Sequence, residues 1–204
     1  MAKHKTSVFA NEAECLKAIL EIHNGGRGID LDPMFFKGGF YRDGTIARPK
    51  LTFDLVPRDE KVVEANAEAL PLTSGSIETM ILDPLFLFGV HGNAGKYYTS
   101  RTMGIFKDFA ALENHYKGIL AEAHRLLKKG GLLIFKCQDY TDSKTTMTHC
   151  KVYEWAETLG FYAKDLAILN IPQTKIYNPN LTQRHFRKTH CYFWVFTKRG
   201  RKVC

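Results

Sequence analysis

The stretch ILDPLFLFG (81–89) closes an apolar run with an acid, a proline and an aromatic ring. Asp83 brings a carboxylate, the Pro84 peptide a carbonyl and Phe86 a flat apolar face. Together they could accept the two hydrogens of an amino group and stack on the ring that bears it. An amine conjugated to a ring is a poor nucleophile because its lone pair is delocalised, and two acceptors on its hydrogens favour the geometry from which that pair attacks. The plainer reading of the same residues is a buried strand, its Asp-Pro stop and a core phenylalanine. Three more strand ends raise the same question: Asp32-Pro33 in GIDLDP (28–33), Asp54 in KLTFDLVP (50–57) and Asn66 in EKVVEANAEALPL (60–72). For each acid the alternative is a strand-end carboxylate that caps the next turn. Gly38 and Gly39, in DPMFFKGGF (32–40), would let backbone approach a ligand closely or would simply turn the chain.

The elements that must position these residues follow from periodicity. NEAECLKAILEIH (11–23) has apolar residues at helical spacing and stops at Asn24-Gly25-Gly26. The runs 28–33, 50–57 and 77–84 are short, apolar and closed by proline, as buried parallel strands are. Residues 60–72 mix a short helical pattern with a strand pattern near 65–70. Residues 106–131 form the strongest helical pattern, with lysines in its last turn and Gly130 as its cap, and GLLIFKCQD (131–139) follows directly as a strand. A helix over 147–161, a strand over 162–169 and an aromatic strand over 190–198 complete the series, with a polar loop over 170–189. Alternation of this kind predicts an α/β fold with a mostly parallel sheet, in which ligands bind beyond the carboxyl ends of the strands. Those ends carry Asp32, Asp54, Asn66 and Asp83. The connection from 40 to 50 is too short for an ordinary crossover helix, and the glycine-rich, aromatic segment 89–104 is a candidate lid.

Composition frames the rest. The chain has 204 residues, 45% of them hydrophobic, enough for one sizeable core, and a single domain over 1–204 is expected. It shows no apolar run of membrane-spanning length and no secretory apolar segment near its start, so a cytoplasmic protein is expected. Its five cysteines are scattered, and although His149-Cys150 and His190-Cys191 are suggestive pairs, no Cys-x-x-Cys spacing supports zinc. The net charge is +8, and the last acid is Asp165. Lys175, Arg184, Arg187, Lys188, Lys198, Arg199, Arg201 and Lys202 follow it, eight positive charges that equal the whole excess. That segregation, with Tyr177, Phe186 and Tyr192 interleaved, is the footprint of a nucleic-acid contact, the alternative being a solvated basic tail.

The order of these segments resembles that of Rossmann-like S-adenosylmethionine-dependent methyltransferases. More closely, DPMFFKGGFY, PKLTFDLVP, LIFKCQDY and HFRKTHCYFWVF resemble a group of small, mostly phage and prophage proteins described as DNA methyltransferases or methyltransferase-like, over about residues 28–198. The resemblance implies seven strands, the last antiparallel and inserted beside the sixth, and S-adenosylmethionine as cofactor. It places Asp32 near the methionine amino group of the cofactor, Asp54 on its ribose hydroxyls and Asn66 on its adenine ring, with Pro33, Gly38 and Gly39 beside it. It makes Asp83, Pro84 and Phe86 a form of the Asp-Pro-Pro-Phe arrangement of enzymes that methylate amino groups of bases, DNA adenine in first place. Leu85 stands where those enzymes have a second proline that stiffens the turn. Lys136, Arg184, Arg187 and Lys188 would face nucleic-acid phosphates, with Cys137 in the core. Two alternatives stand beside this reading: an inactive nucleic-acid- or partner-binding protein on the same fold, and a methyltransferase acting on RNA or a small molecule.

Overall fold

Asn11 begins the first helix, its side chain accepting from the Glu14 N–H at 2.9 Å, and Gly25, at φ 61, ends it. In the computed structural model, which describes residues 4–90, 104–141, 144–170, 182, 184–186 and 188–199, this is α1 (Glu12–Asn24). The strands are β1 (Val8–Phe9), β2 (Leu31–Asp32), β3 (Leu51–Asp54), β4 (Val63–Glu64), β5 (Ile77–Leu82), β6 (Leu127–Cys137), β9 (Phe161–Asn170) and β10 (His190–Lys198), in the spatial order β1-β9-β10-β6-β5-β2-β3-β4. Helix α2 (Phe109–Leu126) precedes β6 and α3 (Thr148–Thr158) precedes β9. A small antiparallel hairpin, β7 (Tyr140–Thr141) with β8 (Thr145–Thr146), lies between β6 and α3.

Strands β2 to β6 pair in parallel, and β10 is antiparallel to both β9 and β6, between which it is inserted. The expected α/β class and the inserted antiparallel strand are therefore observed. Among the described residues the sheet has eight strands instead of seven. The extra one, β1, adds to the edge of β9 through Val8 and Phe9, and two residues are too few to show alternation in a sequence.

Helices cover both faces. On one, Leu112, Tyr116, Ile119 and Leu120 of α2 and Val152 and Trp155 of α3 pack on Met80, Leu82, Leu133 and Phe135. On the other, Cys15, Leu16 and Ile19 of α1 pack on Ile81, Ile134 and Phe193. Each such aliphatic side chain contributes roughly 1.5–3 kcal/mol by leaving water, and successive residues of β5 and β6 serve opposite faces.

Three expectations are corrected. Helix α2 ends at Leu126, not near Gly130, because the backbone extends at Leu127 to pair with Ile77; Lys128 then reaches Glu78 at 2.9 Å, and Gly130, at φ 79, turns an irregular stretch of β6. The strand expected near 65–70 lies earlier, at Val63–Glu64, where Phe53 and Asp54 supply partners. The helical pattern of 60–72 forms no helix. Residues 65–76 instead cross back to β5 as turns, and α2 supplies their hydrogen bonds. Glu122 accepts from the Leu70 N–H at 2.7 Å, while Arg125 donates to Leu72 O at 2.8 Å and Leu70 O at 3.1 Å and pairs with Glu122 at 2.6 Å.

That clamp predicts a specific weakness. Arg125→Ala leaves two carbonyls and the buried Glu122 carboxylate without their cation, so it should lower the free energy of unfolding by about 2 kcal/mol, read from the urea midpoint. A change within 0.5 kcal/mol, roughly the ordinary surface value, would contradict the clamp.

Candidate active site

Because β2, β3, β4 and β5 are parallel, their carboxyl ends share one edge, and the chain order switches side between β2 and β5. A cavity of about 520 Å³ opens at that point, within the usual range for small-molecule sites. It brings together Asp32, Pro33, Gly39, Asp54, Asn66, Asp83, Pro84 and Phe86, eight of the nine residues expected at a catalytic or cofactor site. Gly38 is the ninth and does not line it. Its φ of 62 and the Phe35 ring, 2.6 Å from where a Cβ would stand, explain the glycine as a requirement of the turn. Gly39 heads a short 3-10 turn (Gly39–Tyr41), the only regular structure between β2 and β3.

The two strand-end acids are buried and hold the loop that follows β2. Asp32 accepts from the Met34 N–H at 3.0 Å and from the Tyr41 hydroxyl at 2.8 Å. Asp54 accepts from the Val56 N–H at 2.9 Å and from the Phe36 N–H at 2.7 Å. Each thus caps its own turn, the simpler of the two readings from sequence, while still lining the cavity. The Asp54 bond also holds Phe36 at φ 48, an uncommon conformation for a bulky residue that is found where surrounding structure over-determines it. Arg58 and Lys37 lie over the Phe36 ring at 5.0 and 5.3 Å. Asn66 is exposed at the rim, where it accepts from the Glu68 N–H at 2.9 Å.

Burial pushes Asp32 up to about 7, against the pull of its bonds from Tyr41 and Met34. Burial and the neighbouring Asp32 push the Tyr41 phenol well up, so it stays the donor. Asp83 is half-buried and likewise raised by burial, with Lys136 pulling it back. Tyr116, fully buried, donates its hydroxyl to Leu85 O at 3.2 Å and so holds the turn that in the Asp-Pro-Pro-Phe arrangement a proline would stiffen. His115 lines the cavity and meets Glu68 at 2.6 Å.

Among the expected nucleic-acid contacts, Lys136 is corrected. It does not face outward toward phosphates but is buried, 3.0 Å from Asp83 and 2.8 Å from Glu12. Arg184 is exposed and Lys188 partly so, and Phe186 is 89% exposed. Arg187 lies outside the described residues, as do most of the loop 170–189 and the candidate lid 89–104, apart from its ends. No described helix is long and apolar enough to cross a membrane. Sequence reasoning missed Glu12, Phe36, Tyr41, His115 and Tyr116. Glu12 alone had a signal, as an acid opening a helix that begins beside the sheet.

Solved structures are similar to this chain in fold. Burkholderia thailandensis 1,6-didemethyltoxoflavin-N1-methyltransferase, with bound 1,6-didemethyltoxoflavin and S-adenosylhomocysteine, is 16% identical, with a TM-score of 0.55 over 94% of this chain and 80% of that one. A SAM-dependent methyltransferase from Thermotoga maritima is 18% identical, with a TM-score of 0.52 over 92% of this chain and 87% of that one. A candidate DNA modification methylase from Thermus thermophilus is 18% identical, with a TM-score of 0.42 over 66% of this chain, which spans only 50% of that protein. No protein-family model and no curated protein matches the sequence. At these identities the likeness is one of fold: the chain has the fold of the Rossmann-like SAM-dependent methyltransferases.

The buried Asp32 gives a stability test independent of ligand. Its folded pKa lies near 7 against 3.8 for the free group, so the folded state keeps the proton longer and stability falls as pH rises between those values. At full ionisation the cost is on the order of 4 kcal/mol, at about 1.36 kcal/mol per pH unit. Wild type should therefore lose stability relative to Asp32→Asn between pH 4 and pH 8 in urea titrations, and parallel pH profiles would contradict the placement of Asp32.

Proposed function

We propose that this chain is an S-adenosylmethionine-dependent methyltransferase that acts on an exocyclic amino group of a nucleic-acid base, adenine in DNA in first place. The observation that carries the reading is the convergence of Asp32, Asp54, Asn66 and the Asp83-Pro84-Leu85-Phe86 turn on one cavity at the switch point of a methyltransferase-type sheet. Glu12, Asp32, Asp54 and Asp83 make its lining acidic, which suits a ligand carrying a sulfonium and an α-ammonium and disfavours phosphate inside the cavity. The nucleotide's phosphates would then stay outside, where the basic carboxyl-terminal segment supplies cations.

The cofactor brings the activated methyl group; the chain has to bind, aim and handle one proton. Asp32 and Asp54 flank the cofactor end and Asn66 the adenine end. Phe86 stacks on the base, and Asp83 with the Pro84 carbonyl accepts the two amino hydrogens. S-adenosylmethionine held in the cavity would supply its methyl group to that nitrogen, the bond electrons staying with its sulfur. The nitrogen, now positive, releases one proton to the Asp83 carboxylate and from there to water. The Tyr116 bond to Leu85 O favours a working turn over an inactive relative, because it replaces the stiffness lost with the second proline.

Calorimetry with S-adenosylmethionine, followed by transfer of a labelled methyl group to mixed DNA and RNA, tests this directly. Micromolar-range binding and transfer to adenine amino groups are expected. Asp83→Ala should lower transfer by about 10²-fold or more while leaving cofactor affinity within a few-fold. Failure to bind at millimolar cofactor would overturn the reading, and transfer only to RNA or a small amine would keep the chemistry and correct the substrate.

A further inference from the structure

Leu82 pairs with Phe135 in the parallel register of β5 and β6, so the next residues, Asp83 and Lys136, are level with each other. Ile81 and Ile134, two positions back, belong to the core beneath α1, and the alternation of a strand sends Asp83 and Lys136 to that same face. Helix α1 begins over this edge with Glu12. The Lys136 ammonium consequently sits between two carboxylates, 2.8 Å from Glu12 Oε1 and 3.0 Å from Asp83 Oδ2. Lys136 is 9% exposed, with its ammonium 5.0 Å from the Phe40 ring centroid and 5.7 Å from that of Phe193.

We propose that Lys136 and Glu12 are positioning residues for Asp83: in this carboxylate–ammonium–carboxylate chain Lys136 keeps Asp83 ionised and fixes its Oδ2, so that an incoming amino group meets Oδ1, and Glu12 holds the Lys136 ammonium in place. The use of the chain rests on the methyl transfer proposed above, but the chain itself can be tested without it.

The need for such a chain is electrostatic. A protonated Asp83 would present a donor where the amine requires an acceptor, and burial drives it that way. Lys136 opposes that drive by its charge and its hydrogen bond, whereas Glu12 reinforces it. Asp32 of β2, Tyr41 of the 3-10 turn, Tyr116 of α2, Cys137 of β6 and Cys191 of β10 also face Asp83, and none of them is a cation. Burial alone would discharge Lys136 too, but Asp83 and Glu12 outweigh it and hold the ammonium above its ordinary pKa. Glu12 thus adds to the pull of Asp83 that keeps Lys136 charged and helps hold it in place, and the three groups together carry a single negative charge. That charge also suits the positive nitrogen formed on transfer.

The test is a carboxyl-carbon NMR titration of the full chain labelled at aspartate, with Asp83 assigned by Asp83→Asn. Lys136→Met should raise the Asp83 midpoint by about one to three pH units, Glu12→Gln should lower it, and Lys136→Arg should leave it nearly in place. The acid limb of the pH profile of methyl transfer should move in the same directions. A residue that only supports the fold would not produce opposite shifts from the two neutralising changes. Midpoints that stay put in both, or move the same way, overturn the proposal. If Lys136→Met does not fold, Glu12→Gln and Lys136→Arg carry the same test. Shifted midpoints in a protein that transfers no methyl group would sink the function and keep the chain; transfer with unmoved midpoints would do the reverse.

Discussion

The register between β5 and β6 is the constraint on which the site depends. Pairing Leu82 with Phe135 leaves Asp83 and Lys136 side by side at the carboxyl edge. A slip of one residue would send one of the two to the opposite face and leave a charge buried without its partner, which costs several kcal/mol. The pairing is secured by the cores on both faces, since Ile81 and Ile134 pack under α1 while Leu82 and Phe135 pack under α2 and α3. The apolar interior of the sheet thereby sets the geometry of the polar edge.

The cavity exists because two crossovers that usually carry helices are loops here. After β2 the chain returns through Phe35, Phe40, Tyr41 and Ile46, with Phe35 and Tyr41 stacked at 5.5 Å and Asp32 and Asp54 gripping the loop from the strand ends. After β4 it returns through turns held by Glu122 and Arg125 of α2. In both places backbone groups that a helix would satisfy internally are satisfied by acids or an arginine from rigid elements. Asp32 and Asp54 both hold the first of these loops in shape and line the cavity, so they have a structural duty whether or not a ligand is present.

Much of this was legible in the sequence where the pattern was long. The aromatic strand His190–Lys198 has the bounds that periodicity gives it, and α1 and its glycine stop are where spacing puts them. The strand-end acids were legible as a set because proline closes the runs that carry them. Short elements were not: β1 and β4 have two residues each, and their pairing is decided by neighbours far along the chain. The burial of Lys136 is not legible, because a strand pattern does not say which face its last residues take until the partner strand fixes the register. Tyr116 falls within the helical pattern of 106–131, which gives it no special role, and only the folded turn shows its hydroxyl at Leu85. Of the two readings of Gly38, the turn has a physical reason that no sequence pattern announces, the Phe35 ring standing where a side chain would be.

On the proposed function, cofactor and amine share the cavity between β2 and β5. A crystal structure of the full chain with S-adenosylmethionine tests it most directly. The adenosine is expected beside Asp54 and Asn66, the methionine end beside Asp32, and the methyl carbon turned toward Asp83 and the Pro84 carbonyl. A cofactor bound outside this cavity, or with its methyl group turned away from Asp83, would contradict it.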